Sequence, residues 1–140
     1  MADERHLAIR RLLLPKDTNH RGEIFGGAIL AEIDLAGAVE ARRHTEHDVA
    51  TIAMKEVVFK KPVRVGDVVS FWTTLVKVGT TSIHVKVEMT ANRDGSGDEE
   101  SVTAAELVYV AVEKDADGNY VKALVKPTVD PTCFRVINTK

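Results

Sequence analysis

Along residues 83–91, Ile83, Val85, Val87, Met89 and Ala91 alternate with His84, Lys86, Glu88 and Thr90. A period of two predicts an antiparallel strand with one face buried and one face wet. Three further stretches read as strands. Residues 50–60 are mostly apolar, 68–78 are rich in β-branched and aromatic side chains, and 102–112 form another long run. Turn-formers separate them: Pro62 and Gly66 in 61–67, "GTTS" at 79–82, "NRDGSGDEE" at 92–100 and "KDADGNY" at 114–120. Residues 6–14 fit a strand or a short helix, ended by Pro15. Residues 26–44 have a different pattern. They combine alanine, leucine, isoleucine and glutamate without proline, then turn polar at "EARRHTEHD", which predicts the one long helix. A helix segregated from an antiparallel sheet defines an α+β fold. One helix covers one face of such a sheet, so the other face and the edges call for further copies. Residues 1–125 read as one domain, and 126–140, with Pro127 and Pro131, as a tail or an arm on a neighbour.

Composition narrows the class. The chain is 44% hydrophobic and 29% charged, as globular domains are, with a net charge of −2. That charge points to neither nucleic acid nor a membrane surface. No run approaches the ~18–20 apolar residues of a membrane span, and the first residues carry scattered charges rather than a leader's apolar stretch. The single cysteine, Cys133, excludes an intrachain disulfide and fits a reducing compartment, so a cytoplasmic protein is expected. There is no H-E-x-x-H and no cysteine pair to bind a metal, and "DADGN" misses the calcium-loop pattern. A G-x-S-x-G nucleophile elbow, a P-loop and a dinucleotide fingerprint are all absent as well.

The residue that calls for an explanation is Asp34, an acid within an apolar helix. Its same-face neighbours at three and four positions are Leu30, Ala31, Gly37 and Ala38, whereas Glu32 belongs to the side that leads to Ala36, Val39, Glu40 and Arg43. Gly37 costs the helix about 1 kcal/mol relative to alanine, and small residues around an acid imply room for a close approach. A buried carboxylate needs a partner. Asp34 either pairs across an oligomer interface or caps another backbone, or it acts as an acid or base in a cleft. Gly26-Gly27 likewise has two readings: a tight entry into the helix, or free N–H groups that bind an anion or oxyanion. Eight residues of helix separate Gly26 from Asp34, about 12 Å at 1.5 Å per residue. One reacting carbonyl cannot touch both within a chain. Two antiparallel copies would bring the glycines of one near the aspartate of the other.

These residues form larger motifs. "PKDTNHRGEIFGGAILAEIDLAG", "VVFKKPVRVGDVV" and "VGTTSIHVKVEM" resemble the bacterial single-hotdog acyl-CoA thioesterases of the YciA type, over residues 12–112. The combination D-T-N, I-F-G-G and I-D-x-[AG]-G carries the resemblance; "PV..GD" recurs across hotdog proteins of many functions. The resemblance implies a hotdog fold, a long central helix wrapped by a five- to six-stranded antiparallel sheet. It implies a homodimer with a continuous sheet, assembled further as a trimer of dimers. It also implies hydrolysis of acyl-CoA to free acid and CoA, with no cofactor beyond the substrate. Asp34 matches the family's helix carboxylate as general base or nucleophile, Asn19 the asparagine of D-T-N, and Gly26 or Gly27 the oxyanion donor at the helix start.

Other candidates follow from this reading. Lys60, Lys61 and Arg64 suit the phosphates of CoA, or are a solvated turn. Thr80, Thr81 and Ser82 touch the pantetheine arm, or are only a hairpin connection. Asn19 orients water or donates to the carbonyl, or simply forms a turn. His20 is expected in an exposed loop, and His84 on a solvated strand face. At least one of Phe71 and Trp72 belongs to the core. Cys133 is expected to be inert. Two alternatives stand beside the thioesterase: an acyl-CoA-binding hotdog protein without turnover, and a hotdog hydratase or dehydratase. The latter is disfavoured because no histidine lies on the apolar helix face; His44 and His47 fall in its polar exit.

Overall fold

Alternation of apolar and polar residues turns most of the chain into sheet. The computed structural model describes residues 4–93, 95 and 97–127. Its strands are β1 (His6–Leu12), β2 (Asp48–Phe59), β3 (Val68–Val78), β4 (Ser82–Asn92), β5 (Glu100–Lys114) and β6 (Tyr120–Lys122), with one helix, α1 (Gly26–Ala41). The sheet is antiparallel in the order β1–β3–β4–β5–β2, and β6 adds to the end of β5. Of residues 6–14, open between strand and helix in the sequence, 6–12 pair with β3 as a strand. β6 was not anticipated: three exposed residues after a turn carry too little apolar pattern to register; main-chain pairing to β5 holds them, with the Lys114 ammonium 5.4 Å from the Tyr120 ring centre.

The predicted inward face of β4 is buried throughout, from Ile83 to Ala91, and packs with Phe71, Val102, Leu107 and Tyr109 against Ile29, Ile33 and Ala36 of α1. Phe71 belongs to this core. Trp72 lies on the other side of the sheet, its indole N–H donating to Thr90 Oγ1 at 3.0 Å and the Arg5 guanidinium 3.9 Å above its ring. His84, expected in solvent, is half-buried. Its Nδ1 has no partner among the described residues, and burial, reinforced by Lys77 and Lys55, pushes its pKa below the ordinary value.

The helix ends at Ala41 rather than 44, because the chain tightens there. Arg43 and His44 donate to the carbonyls of Glu40 and Ala41, three residues back. The buried stripe is also rotated from the sequence reading. It runs through Ile29, Ile33, Ala36, Gly37 and Glu40, so Asp34 sits at its margin, half-buried. A helix apolar on nearly every side does not declare which side the sheet will cover.

Glu40, on the side that also bears Glu32, has no exposed surface. It accepts hydrogen bonds from His44 Nε2 at 2.6 Å, Thr73 Oγ1 at 2.8 Å and His6 Nδ1 at 3.0 Å. The carboxylate thus ties the end of α1 to β1 and β3. β2 forms one edge of the sheet, with Ile52, Val58 and Phe59 exposed, as is Leu35 of α1. Such an edge suits pairing with another chain. The chain after β6 stays attached, with Val125 N–H on Thr80 O and Glu46 N–H on Lys126 O. The expected tail beyond residue 127 and Cys133 lie outside the described residues. Among the described residues no helix is long and apolar enough to cross a membrane.

Burial alone would raise the Glu40 pKa, but the bonds from His44, Thr73 and His6, with the charge of His44, bring it below the ordinary 4.5. Its contribution to folding is therefore complete above that value and is lost as pH falls through the lower folded one. Glu40→Ala is expected to cost about 3–5 kcal/mol by urea denaturation at pH 7, with a smaller cost below pH ~4.

Candidate active site

Two separate pieces of chemistry sit on α1. The first is its start. Phe25 occupies the N-cap position and supplies no capping side chain. Ala28 and Ile29 both donate to Phe25 O, whereas the N–H groups of Gly26 and Gly27 have no acceptor among the described residues. An uncapped helix end offers two donors and a positive dipole end. A hollow of about 260 Å³ opens there, lined by Asn19, Gly26, Phe59, Lys60, Lys61 and Val63 among others. A Cβ on Gly26 would sit 3.8 Å from the Phe59 ring, an ordinary van der Waals contact.

The loop beside it is shaped by Asn19. The Asn19 side-chain oxygen accepts from the N–H groups of Arg21 at 2.9 Å and Glu23 at 3.2 Å. Asn19 therefore forms a turn, and it also lines the hollow. Asp17 closes the loop: its carbonyl accepts Phe25 N–H at 2.8 Å, and its carboxylate pairs with Arg11, which also bonds Glu32. His20 is exposed, as expected.

The second piece is Asp34. Thr51 Oγ1 donates to its Oδ1 at 2.6 Å, and the Tyr109 hydroxyl lies 2.7 Å from its main-chain oxygen and 3.3 Å from the same Oδ1. Thr51 and Tyr109 are cross-strand partners on β2 and β5, at a point where β2 takes an extra residue. Oδ2 and any cation partner are both unassigned among the described residues: no ion pair to Asp34 is formed there. The room expected around the acid exists and is filled. A Cβ on Gly37 would overlap the Tyr109 hydroxyl. Neither Thr51 nor Tyr109 stood out in the sequence. Each fills an ordinary strand position, and only the pairing register turns both toward Asp34.

Asn19, Gly26, Lys60 and Lys61 therefore come together, and Asp34 stays two turns away. Lys60 and Lys61 also bond the start of β5, with Lys60 Nζ on Ser101 Oγ at 3.0 Å and Lys61 Nζ on Glu100 at 3.1 Å. Arg64 contributes a main-chain N–H to Asp67, and its side chain does not line the hollow. Gly27 is exposed beside the Phe25 ring. Thr80, Thr81 and Ser82 lie at the opposite end of the sheet. Ser82 pairs with Val110, whereas Lys60 bonds to Val102, eight residues away or about 27 Å along β5. Their carbonyls hold the hairpin to Val125, Ala111 and Gly79. His44 and His6 are engaged with buried Glu40, away from both pieces. No cluster of potential metal ligands occurs among the described residues.

One helix packed across a six-stranded antiparallel sheet agrees with the hotdog fold of known thioesterases. The thioesterase superfamily model matches residues 21–97, and the chain belongs to that superfamily. The chain is 38% identical over 112 residues to the acyl-CoA thioester hydrolase YciA of Salmonella typhimurium strain LT2, covering 78% of this chain and 84% of that protein. It superposes on a hexameric hotdog-fold thioesterase of Campylobacter jejuni with a TM-score of 0.74 at 45% identity, over 86% of this chain and 90% of that one. It also superposes on an acyl-CoA hydrolase of Staphylococcus aureus, solved with butyryl-CoA, CoA and CoA disulfide, with a TM-score of 0.76 at 28% identity, over 88% and 72% of the two chains.

Gly37 gives a direct check on this geometry. Glycine to alanine within a helix ordinarily gains about 1 kcal/mol, but overlap with a packed group costs about 1–3 kcal/mol. Gly37→Ala is expected to lower stability by about 1 kcal/mol in urea titration, reversing the usual sign.

Proposed function

We propose that this protein hydrolyses acyl-CoA thioesters to a free acid and CoA, at sites shared between two chains. The observation that carries this reading is the pairing of two unsatisfied amides at the start of α1 with a carboxylate about 12 Å along the same helix. Each half is useless for one carbonyl within a chain, and a second antiparallel copy completes it. The exposed apolar edge of β2 supports joining two sheets there, and three such dimers would make a hexamer like the C. jejuni neighbour.

In this reading the thioester oxygen rests on the Gly26 and Gly27 amides, which hold the negative charge that develops there; one such donor contributes about 2.7–4 kcal/mol. Asp34 of the other chain uses its free oxygen to take a proton from water as the water attacks the carbonyl carbon, or attacks that carbon itself. The tetrahedral species collapses, the C–S bond breaks, and CoA leaves as thiolate; where Asp34 itself attacks, water then hydrolyses the acyl–Asp34 anhydride to the free acid and restores the carboxylate. A thiolate is a good leaving group, so the step requires no metal or cofactor. Asn19 directs its amide to the carbonyl or the water. Lys60 and Lys61 receive CoA phosphates, and the 80–82 hairpin of the other chain meets the pantetheine arm. In the S. aureus hydrolase, alanine variants were made of an asparagine and an aspartate fifteen positions apart, the separation of Asn19 from Asp34 here. The cytoplasm, where acyl-CoA is made and used, is its proposed location.

Release of free thiol from acyl-CoAs of increasing chain length tests the activity. Wild type is expected to hydrolyse members of the series, and Asp34→Asn to be slower by about 10²–10⁴-fold at unchanged oligomeric state. No thiol release by wild type from any of them would contradict the reading and leave a binding protein.

A further inference from the structure

Asp34 is held from β5 by a side chain that reaches no solvent. Tyr109 is fully buried, and its hydroxyl arrives at α1 only because residue 37 has no Cβ. It lies 2.7 Å from the Asp34 main-chain oxygen and 3.3 Å from Oδ1. The Asp34 carbonyl lies inside the helix, so this is a second donor brought to an oxygen the helix already uses. From the neighbouring strand, Thr51 donates to the same Oδ1. Oδ1 thus accepts from Thr51 and takes the longer arm of the Tyr109 hydroxyl, whose one proton lies closer to the main-chain oxygen, and Oδ2 has no partner among the described residues.

We infer that Tyr109, seated in the space left by Gly37, is a positioning residue for hydrolysis: it fixes Asp34 so that Oδ2 alone is presented to the reacting water. This rests on the reading of Asp34 as the reactive carboxylate. Three features separate it from a phenol that merely satisfies itself. The hydroxyl meets the one residue of the helix that bears the free acid. It shares an oxygen with Thr51. The helix accepts a glycine in its interior, at a cost of about 1 kcal/mol, to admit it. Burial and the Asp34 charge hold the phenol far above its ordinary pKa, so it remains a donor throughout the working range. A carboxylate left to swing loses the alignment that a positioned base requires.

The test is steady-state hydrolysis of an accepted acyl-CoA by the full-length assembly, wild type beside Tyr109→Phe and Gly37→Ala. The first variant removes the hydroxyl and keeps the ring; the second keeps the hydroxyl and displaces it. Both are expected to lower kcat about 10- to 30-fold with KM within about twofold, because the lost contact reaches the carboxylate and not CoA. If Tyr109→Phe does not fold, Gly37→Ala carries the test alone. Wild-type kcat in folded variants, whatever their melting temperatures, would overturn the inference and leave Tyr109 as a structural pin. Absence of turnover in wild type would overturn it too, and would mark the failure as that of the thioesterase reading itself.

Discussion

A straight α-helix cannot fold back to bring its first amides to a carboxylate two turns along. That rigidity governs this protein. The donors at Gly26 and Gly27 and the acid at Asp34 are each built with care, yet about 12 Å of helix keeps them apart. The arrangement has chemical use only where a second helix runs the other way. The sheet is built to allow this: β2 lies at its edge, with Ile52, Val58 and Phe59 exposed alongside the charged Asp48, Lys55 and Glu56.

Placement of the two pieces depends on how α1 is rotated on the sheet. Its apolar surface is so extensive that hydrophobic burial alone would tolerate several rotations. Polar contacts choose among them. Glu40 takes donors from β1, β3 and the segment after the helix, and Tyr109 reaches Asp34 through the gap at Gly37. Each is demanding in geometry, because a buried carboxylate or phenol without partners is costly. Set eight residues (Asp34) and fourteen residues (Glu40) from the helix start, these two contacts orient the whole element, and with it the amides over the hollow.

Much of this was legible in the sequence. Period-two alternation located β4 to within a residue at each end, and the composition of residues 26–44 located α1 apart from its tightened last turn. The conflict between Gly26 and Asp34 followed from helix rise alone. What escaped detection was whatever depends on register. Thr51 and Tyr109 meet Asp34 because β2 and β5 pair as they do. The space at Gly37 was expected, and its occupant was not, since a partner 72 residues away leaves no local trace. The burial of Glu40 also escaped notice, because two of its three partners, His6 and Thr73, come from strands distant in sequence. The 80–82 hairpin and the Lys60–Lys61 pair were grouped by the needs of a ligand, whereas one chain holds them at opposite ends of the sheet.

The central claim is that each site is completed by two chains, and subunit mixing tests it most directly. Asn19→Ala and Asp34→Asn would each be prepared as inactive assemblies, then dissociated, combined in equal amounts and reassembled. A mixed dimer carries one site with both defects and one with neither. The account predicts that thioester hydrolysis returns on mixing, to roughly a quarter of the wild-type rate with random pairing. Activity that stays at the level of the separate variants, in samples shown to have exchanged subunits, would contradict it and place the whole site within one chain.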